Sequence, residues 1–263
     1  SLLIDVTWTL LSQFITASTG FYLKFREQQK LKEQIKGQFG TYLAPEYVDM
    51  IVKAPELMKL GGERREMTFI FSDIVGFTPI SEKYMQKDDP EGLVELINSF
   101  LDQMTNVIIK NGLCLDKYVG DCIVAFANAP IPEKDHAYIC TKTLIDLEML
   151  CEKLNNEILE NGLDLPPVMF GSAANTGVCI VGNTGSNLRM NYSVIGDAVN
   201  LAARLEAETR KQNTPILISE YTYDFVKDRI PCKSLGEINV KGKDETVKIY
   251  APLINGEVRK LYK

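Results

Sequence analysis

Apolar positions recur along this chain with two periods. In MTFIFSDI (67–74) they form a short run bounded by polar residues, which predicts a strand. In PEGLVELINSFLDQMTNVIIKNG (90–112), Leu93, Leu96, Ile97, Phe100 and Met104 share one helical face, and Asn111-Gly112 ends the helix. LCLDKYVGDCIVAFAN (113–128) reads as two strands joined by a hairpin turn at Val119-Gly120-Asp121. A second long amphipathic helix follows over 136–162, and 168–177 and 178–185 are strand-like with glycine turns. A third helix over 197–211, the strand TPILIS and short strands around Ile238 and Val247 close the pattern. The order β-α-β-β-α-β predicts an α+β fold, a ferredoxin-like split βαβ sheet with helices on one face.

Upstream the pattern changes. Between Asp5 and Lys24 lie 18 uncharged residues, followed by Lys24, Arg26, Lys30, Lys32 and Lys36. An apolar stretch of that length with a basic flank predicts a transmembrane helix over 1–23, the last of a sensor region, with the basic side cytoplasmic. The alternative is a soluble helix packed on a partner. Over 24–59, Leu31, Ile35, Phe39 and Leu43 form a stripe suited to a coiled-coil seam or a docking helix, which makes this segment a helical, signal-transmitting linker. KLGGERRE (59–66) reads as its glycine-broken end, so the globular domain spans 60–263.

Composition narrows the chemistry. Net charge is -6 over 263 residues, which argues against a nucleic-acid partner. Six scattered cysteines without a CxxC pair suit a reduced, cytosolic protein. There is a single histidine, His136, which argues against His-based metal sites and Ser-His-Asp triads. Catalysis then rests on carboxylates, Lys, Arg, amides or metal ions.

Two carboxylates stand at suggestive places. Asp73 ends the first predicted strand and Asp121 sits in the hairpin turn, and a split βαβ sheet sets that strand beside that hairpin. The pair can converge on one edge and hold divalent ions for phosphoryl chemistry, while backbone N–H groups from Ile74 to Thr78, around Gly76 and Phe77, can cradle a phosphate chain. Each aspartate alone also fits an ordinary turn cap.

Three motifs occur in order: FSDIVGFT, KYVGD and YSVIGDAVNLAARLE. Together they closely resemble the catalytic domain of class III nucleotidyl cyclases, over roughly residues 60–252. The resemblance implies an adenylate cyclase that turns ATP into 3′,5′-cyclic AMP and pyrophosphate with two divalent ions, Mg²⁺ or Mn²⁺. It makes Asp73, Asp121 and the Ile74 carbonyl the metal ligands, with Gly76, Phe77 and Thr78 under the phosphates. Lys117 and Ser193 would read the base, Asn200 would orient the ribose, and Arg204 would stabilise charge on the α-phosphate. Lys241 would contact the triphosphate, with Lys243 close enough to compete.

The lysine favours adenine. The serine is permissive, because a hydroxyl both accepts and donates. The resemblance further implies a homodimer, with the metal aspartates from one subunit and Lys117, Ser193, Asn200 and Arg204 from the other. The catalytic domain would be cytoplasmic, tethered to the inner membrane by the preceding segment and controlled by an upstream sensor. A guanylate cyclase and a degenerate, cyclase-like signalling module are the alternatives.

Overall fold

A computed structural model describes residues 2–39, 48, 61–160, 167–186, 189–239 and 246–261. The chain divides into two compact units, residues 1–58 and 59–263. In the first, a single helix, α1 (Leu2–Phe39), runs without a break through the boundary expected at 23. The expected membrane span is not supported: among the described residues no helix is long and apolar enough to cross a bilayer. Threonine and serine dilute the apolar run. The Ser12, Thr16 and Thr19 hydroxyls donate back to the carbonyls of Thr9, Ser12 and Ile15 at 2.9, 2.8 and 2.7 Å, so the helix satisfies them itself. The side chains of the Leu31/Ile35/Phe39/Leu43 stripe lie outside the described residues.

The second unit is built on one eight-stranded sheet. Its strands are β1 (Gly61–Val75), β2 (Cys114–Val119), β3 (Cys122–Ala127), β4 (Met169–Ser186), β5 (Arg189–Ile195), β6 (Ile216–Ser219), β7 (Cys232–Asn239) and β8 (Thr246–Pro252). The order is β2-β3-β1-β4-β6-β8-β7, with β5 added on β4. β1 is antiparallel to both β3 and β4, which is the split βαβ arrangement. The helices are α2 (Phe77–Gln86), α3 (Pro90–Lys110), α4 (His136–Glu160), α5 (Asp197–Glu208) and α6 (Glu220–Val226).

The main core lies under α3 and α4, where Phe100, Met104, Ile108, Leu144 and Leu147 meet Ile70, Ile74 and Phe170 of the sheet. One expected feature needs correction. The helices do not all lie on one face: Leu201 and Leu205 of α5 pack on Ala173, Leu217, Val247 and Ile249, on the opposite side. The central strands show why. Ala173 and Leu217 face α5 while their neighbours Ala174, Ile216 and Ile218 face the main core, so both faces are apolar and both need cover.

Two glycine readings also change. The expected linker over 61–66 is the start of β1, paired continuously with β4 from Gly61↔Asn183 to Val75↔Met169. Gly177, read as a turn, lies inside an 18-residue β4. These glycines permit close approach. A Cβ on Gly62 would meet Ile180 at 2.5 Å, and one on Gly177 would meet the Ala198 Cβ of α5 at 2.8 Å. β5, which pairs with β4, also lies against the β2–β3 flank of the sheet. There Tyr192 of β5 lies with its ring centroid 6.4 Å from that of Phe126 on β3.

Candidate active site

Asp73 sits opposite Gly171 in the β1–β4 ladder, so its side chain points to the α5 side of the sheet. A side chain at 171 would strike Thr209 and Glu206 at 2.7 and 3.1 Å; glycine leaves that space to a charged cluster. Arg210 fills it, donating from Nη2 to Asp73 Oδ2 at 2.5 Å and from Nη1 to Glu206. Asp121, in the β2–β3 turn, lies beside Asp73. Burial raises the Asp121 carboxyl above the ordinary aspartate range, and the neighbouring Asp73 charge raises it further. Glu206 is also raised by burial, with Arg210 pulling it back.

The Cys122 thiol beside these carboxylates is pushed up to about 12, first by burial and then by Asp73, Glu206 and Asp121, which keeps it protonated and out of any thiolate ligation. Among the described residues no group of three or more His, Cys, Asp or Glu side chains is arranged to hold a metal by itself. Two facing carboxylates with a neighbouring carbonyl at Ile74 nevertheless suit a hard divalent cation. Such a cation takes oxygen ligands, completes its shell from substrate phosphate and water, and relieves the repulsion that raises Asp121.

Gly76 follows directly, in the left-handed conformation (φ 74°), and α2 starts at Phe77. The N–H groups of Phe77 and Thr78 therefore belong to a helix N-terminus, with the positive end of its dipole, immediately beyond the carboxylates.

A second cluster forms where β5 meets β2. Lys117 Nζ donates to Ser193 Oγ at 3.4 Å and lies 3.3 Å from Asp116 Oδ2. Ser193 is buried, and the Asp116 side chain is only 3% exposed. The Asp116 carboxylate also faces the Ser193 hydroxyl, and burial raises this carboxyl above the ordinary aspartate range.

Asn200 and Arg204 stand one turn apart on α5, both exposed. Glu208, the obvious structural partner for Arg204, instead pairs with Lys211 at 2.6 Å and accepts from Gln212 at 3.2 Å. Among the described residues Arg204 has no ion-pair partner. Lys241 and Lys243 lie outside the described residues.

The structure thus brings Asp73 to Asp121, and Lys117 to Ser193. No described hydrogen bond or ion pair joins either cluster to Asn200 or Arg204. Sequence reading missed Asp116, Glu206 and Arg210. The Glu206/Arg210 spacing of four on a helix was the available signal. Asp116 carried none, because strand alternation would point it away from Lys117.

Comparison with known proteins adds an independent line. The family described as "Adenylate and Guanylate cyclase catalytic domain" matches residues 62–252. The adenylyl cyclase CyaB of P. aeruginosa is 35% identical, with a TM-score of 0.67 covering 77% of this chain and all of that one. The guanylyl cyclase Cya2 is 32% identical, with a TM-score of 0.67 over 77% of this chain and 98% of that one. Adenylate cyclase 1 of Rhizobium meliloti is 29% identical over 81% of this chain, and the adenylate cyclase of Anabaena cylindrica 31% identical over 84%. The matches span only 31% and 43% of those two relatives.

Proposed function

The chain belongs to the adenylate and guanylate cyclase catalytic domain family, and from that premise we propose that it is an adenylate cyclase, acting as a homodimer on ATP to release 3′,5′-cyclic AMP and pyrophosphate. The observation that carries the choice of ATP is the Lys117–Ser193 contact at 3.4 Å. A lysine, which only donates, stands beside an oxygen that accepts, as the ring nitrogen and amino group of adenine require.

In this reaction the ribose 3′-oxygen bonds to the α-phosphorus, the bond from that phosphorus to the pyrophosphate oxygen breaks, and the hydroxyl proton leaves to phosphate or water. Asp73, Asp121 and the Ile74 carbonyl would hold two divalent ions, Mg²⁺ or Mn²⁺, which supply hydroxyl acidification and charge neutralisation on the phosphates. The N–H groups at Gly76, Phe77 and Thr78 cradle the phosphate chain. Asn200 orients the ribose, and Arg204 places its guanidinium against the charge that develops on the α-phosphate. Lys241 adds a triphosphate contact.

The exposure of both, and for Arg204 the lack of an ion-pair partner among the described residues, suit Asn200 and Arg204 to a site completed by a second copy. That copy faces the aspartates of the first, so a two-fold dimer has two sites. The α1 segment serves as a signal-transmitting helix for this unit.

The test is product identity. Supplied with equal ATP and GTP and with MnCl₂, the protein forms cyclic AMP as the dominant product. A guanylate cyclase is the second reading, favoured by the likeness to Cya2. Dominant cyclic GMP would establish it in place of the first.

A further inference from the structure

Ser193 alone does not select a base, because its hydroxyl can face the substrate as a donor or as an acceptor. The neighbourhood removes that freedom. β2 carries a bulge: Leu115 pairs with Ala125 and Lys117 with Val124, which leaves Asp116 as the extra residue. In an unbroken strand Asp116 and Lys117 would point to opposite faces; the bulge turns both to the β5 side. Both then reach Ser193.

The hydrogen-bond capacities close without remainder. An ionised carboxylate only accepts, and an ammonium only donates. Ser193 has one proton and two lone pairs. With its proton turned to Asp116, one lone pair would take the Lys117 N–H and one would be left for the base. The burial of Asp116 and Ser193 keeps water from competing for these positions.

We propose that Asp116 is a positioning residue that fixes the donor–acceptor polarity of the base pocket by holding the Ser193 proton. The pocket then shows one donor (Lys117) and one acceptor (Ser193). Adenine meets them with a ring nitrogen and an amino group. Guanine would set its carbonyl against the Ser193 lone pair. The inference rests on the reading of Lys117 and Ser193 as the base-reading pair.

Asp116→Asn tests it at nearly constant shape. The amide oxygen must face Lys117, so the amide N–H₂ faces Ser193 and donates, which releases the serine proton toward the base. The ratio of kcat/KM for ATP to that for GTP is expected to fall about tenfold, through a higher KM for ATP and a gain on GTP. On a Ser193→Ala background the same substitution should leave the ratio unchanged, which a general packing defect would not do. Calorimetric binding of 3′-deoxy-ATP and 3′-deoxy-GTP, which cannot cyclise, reads the same preference without turnover. A ratio in Asp116→Asn within about twofold of the unaltered chain overturns the proposal. So does an equal shift with and without the Ser193 hydroxyl. A preference of the unaltered chain for GTP would sink the adenylate reading alone, since the effect of Asp116 is a shift in the ratio from any starting value.

Discussion

Arg210 and Asp73 are joined by a hydrogen-bonded ion pair, Nη2 to Oδ2 at 2.5 Å, reaching from the end of α5 to the end of β1. The other guanidinium nitrogen holds Glu206, and Asp121 lies beside Asp73. One cation thus balances part of a cluster of three carboxylates. The arrangement is stable as it stands and disposed to accept more positive charge.

Removing that guanidinium should expose the imbalance. Arg210→Ala is expected to lower stability by about 1–2 kcal/mol without metal, a modest figure because the side chain is 31% exposed. Added MnCl₂ should raise Tm more in the variant than in the unaltered protein, as cations replace the lost charge. Thermal unfolding in EDTA and in MnCl₂ measures both effects. Equal Mn²⁺-induced shifts would show that the cluster does not bind the ion.

Asp73→Ala separates chemistry from folding. Cyclic nucleotide production should drop roughly 100-fold or more, because a metal ligand and its charge are gone. Secondary structure by circular dichroism should stay unchanged, since the β1–β4 ladder is backbone-bonded and Arg210 keeps its pairing with Glu206. Retained activity would remove Asp73 from the metal site.

Complementation tests the shared site. Asp73→Ala and Asn200→Ala proteins, each inactive, should recover about one quarter of full activity when mixed and allowed to exchange. Random pairing makes half the dimers mixed, and each mixed dimer has one intact site of two. No recovery, with exchange confirmed by labelled subunits, would place both residues in one subunit's site.

Glu148 predicts a pH dependence far from the site. Burial pushes its carboxyl from 4.5 to about 7; Arg259 pulls it down and Glu152 pushes it up. The folded state therefore binds this proton more tightly than the unfolded state. Stability should fall as pH rises from about 4.5 through about 7, by up to about 3 kcal/mol. Glu148→Gln should gain that stability at pH 8 and gain almost nothing at pH 4. Urea unfolding at the two values checks the sign.

The sheet core and its main helices were legible because their apolar spacing is strong: Phe100 and Met104 on α3, and Ile70 on β1, lie where periodicity puts them. The lone histidine, His136, is buried with Nδ1 2.7 Å from Thr68 Oγ1. What escaped depends on contacts between distant segments. Gly62 and Gly177 look like breaks in a one-dimensional reading and prove to be places where strand or helix must come close. The role of Asp116 follows from a bulge, and bulges leave no mark in the alternation they interrupt. Glu206 and Arg210 carry an ordinary helical pairing pattern, and only the fold shows that Asp73 completes it.

The position of β5 against β2 has a mechanical consequence. Lys117 and Ser193 belong to strands that are neighbours in space but not in the hydrogen-bonded order, so no ladder bond holds them together. Side chains join them, through the Lys117–Ser193 hydrogen bond and the Asp116 carboxylate that faces the serine. A slide of one strand past the other would part the lysine from the serine while every strand pairing stayed intact, so the proposed base pocket can open without any loss of sheet structure.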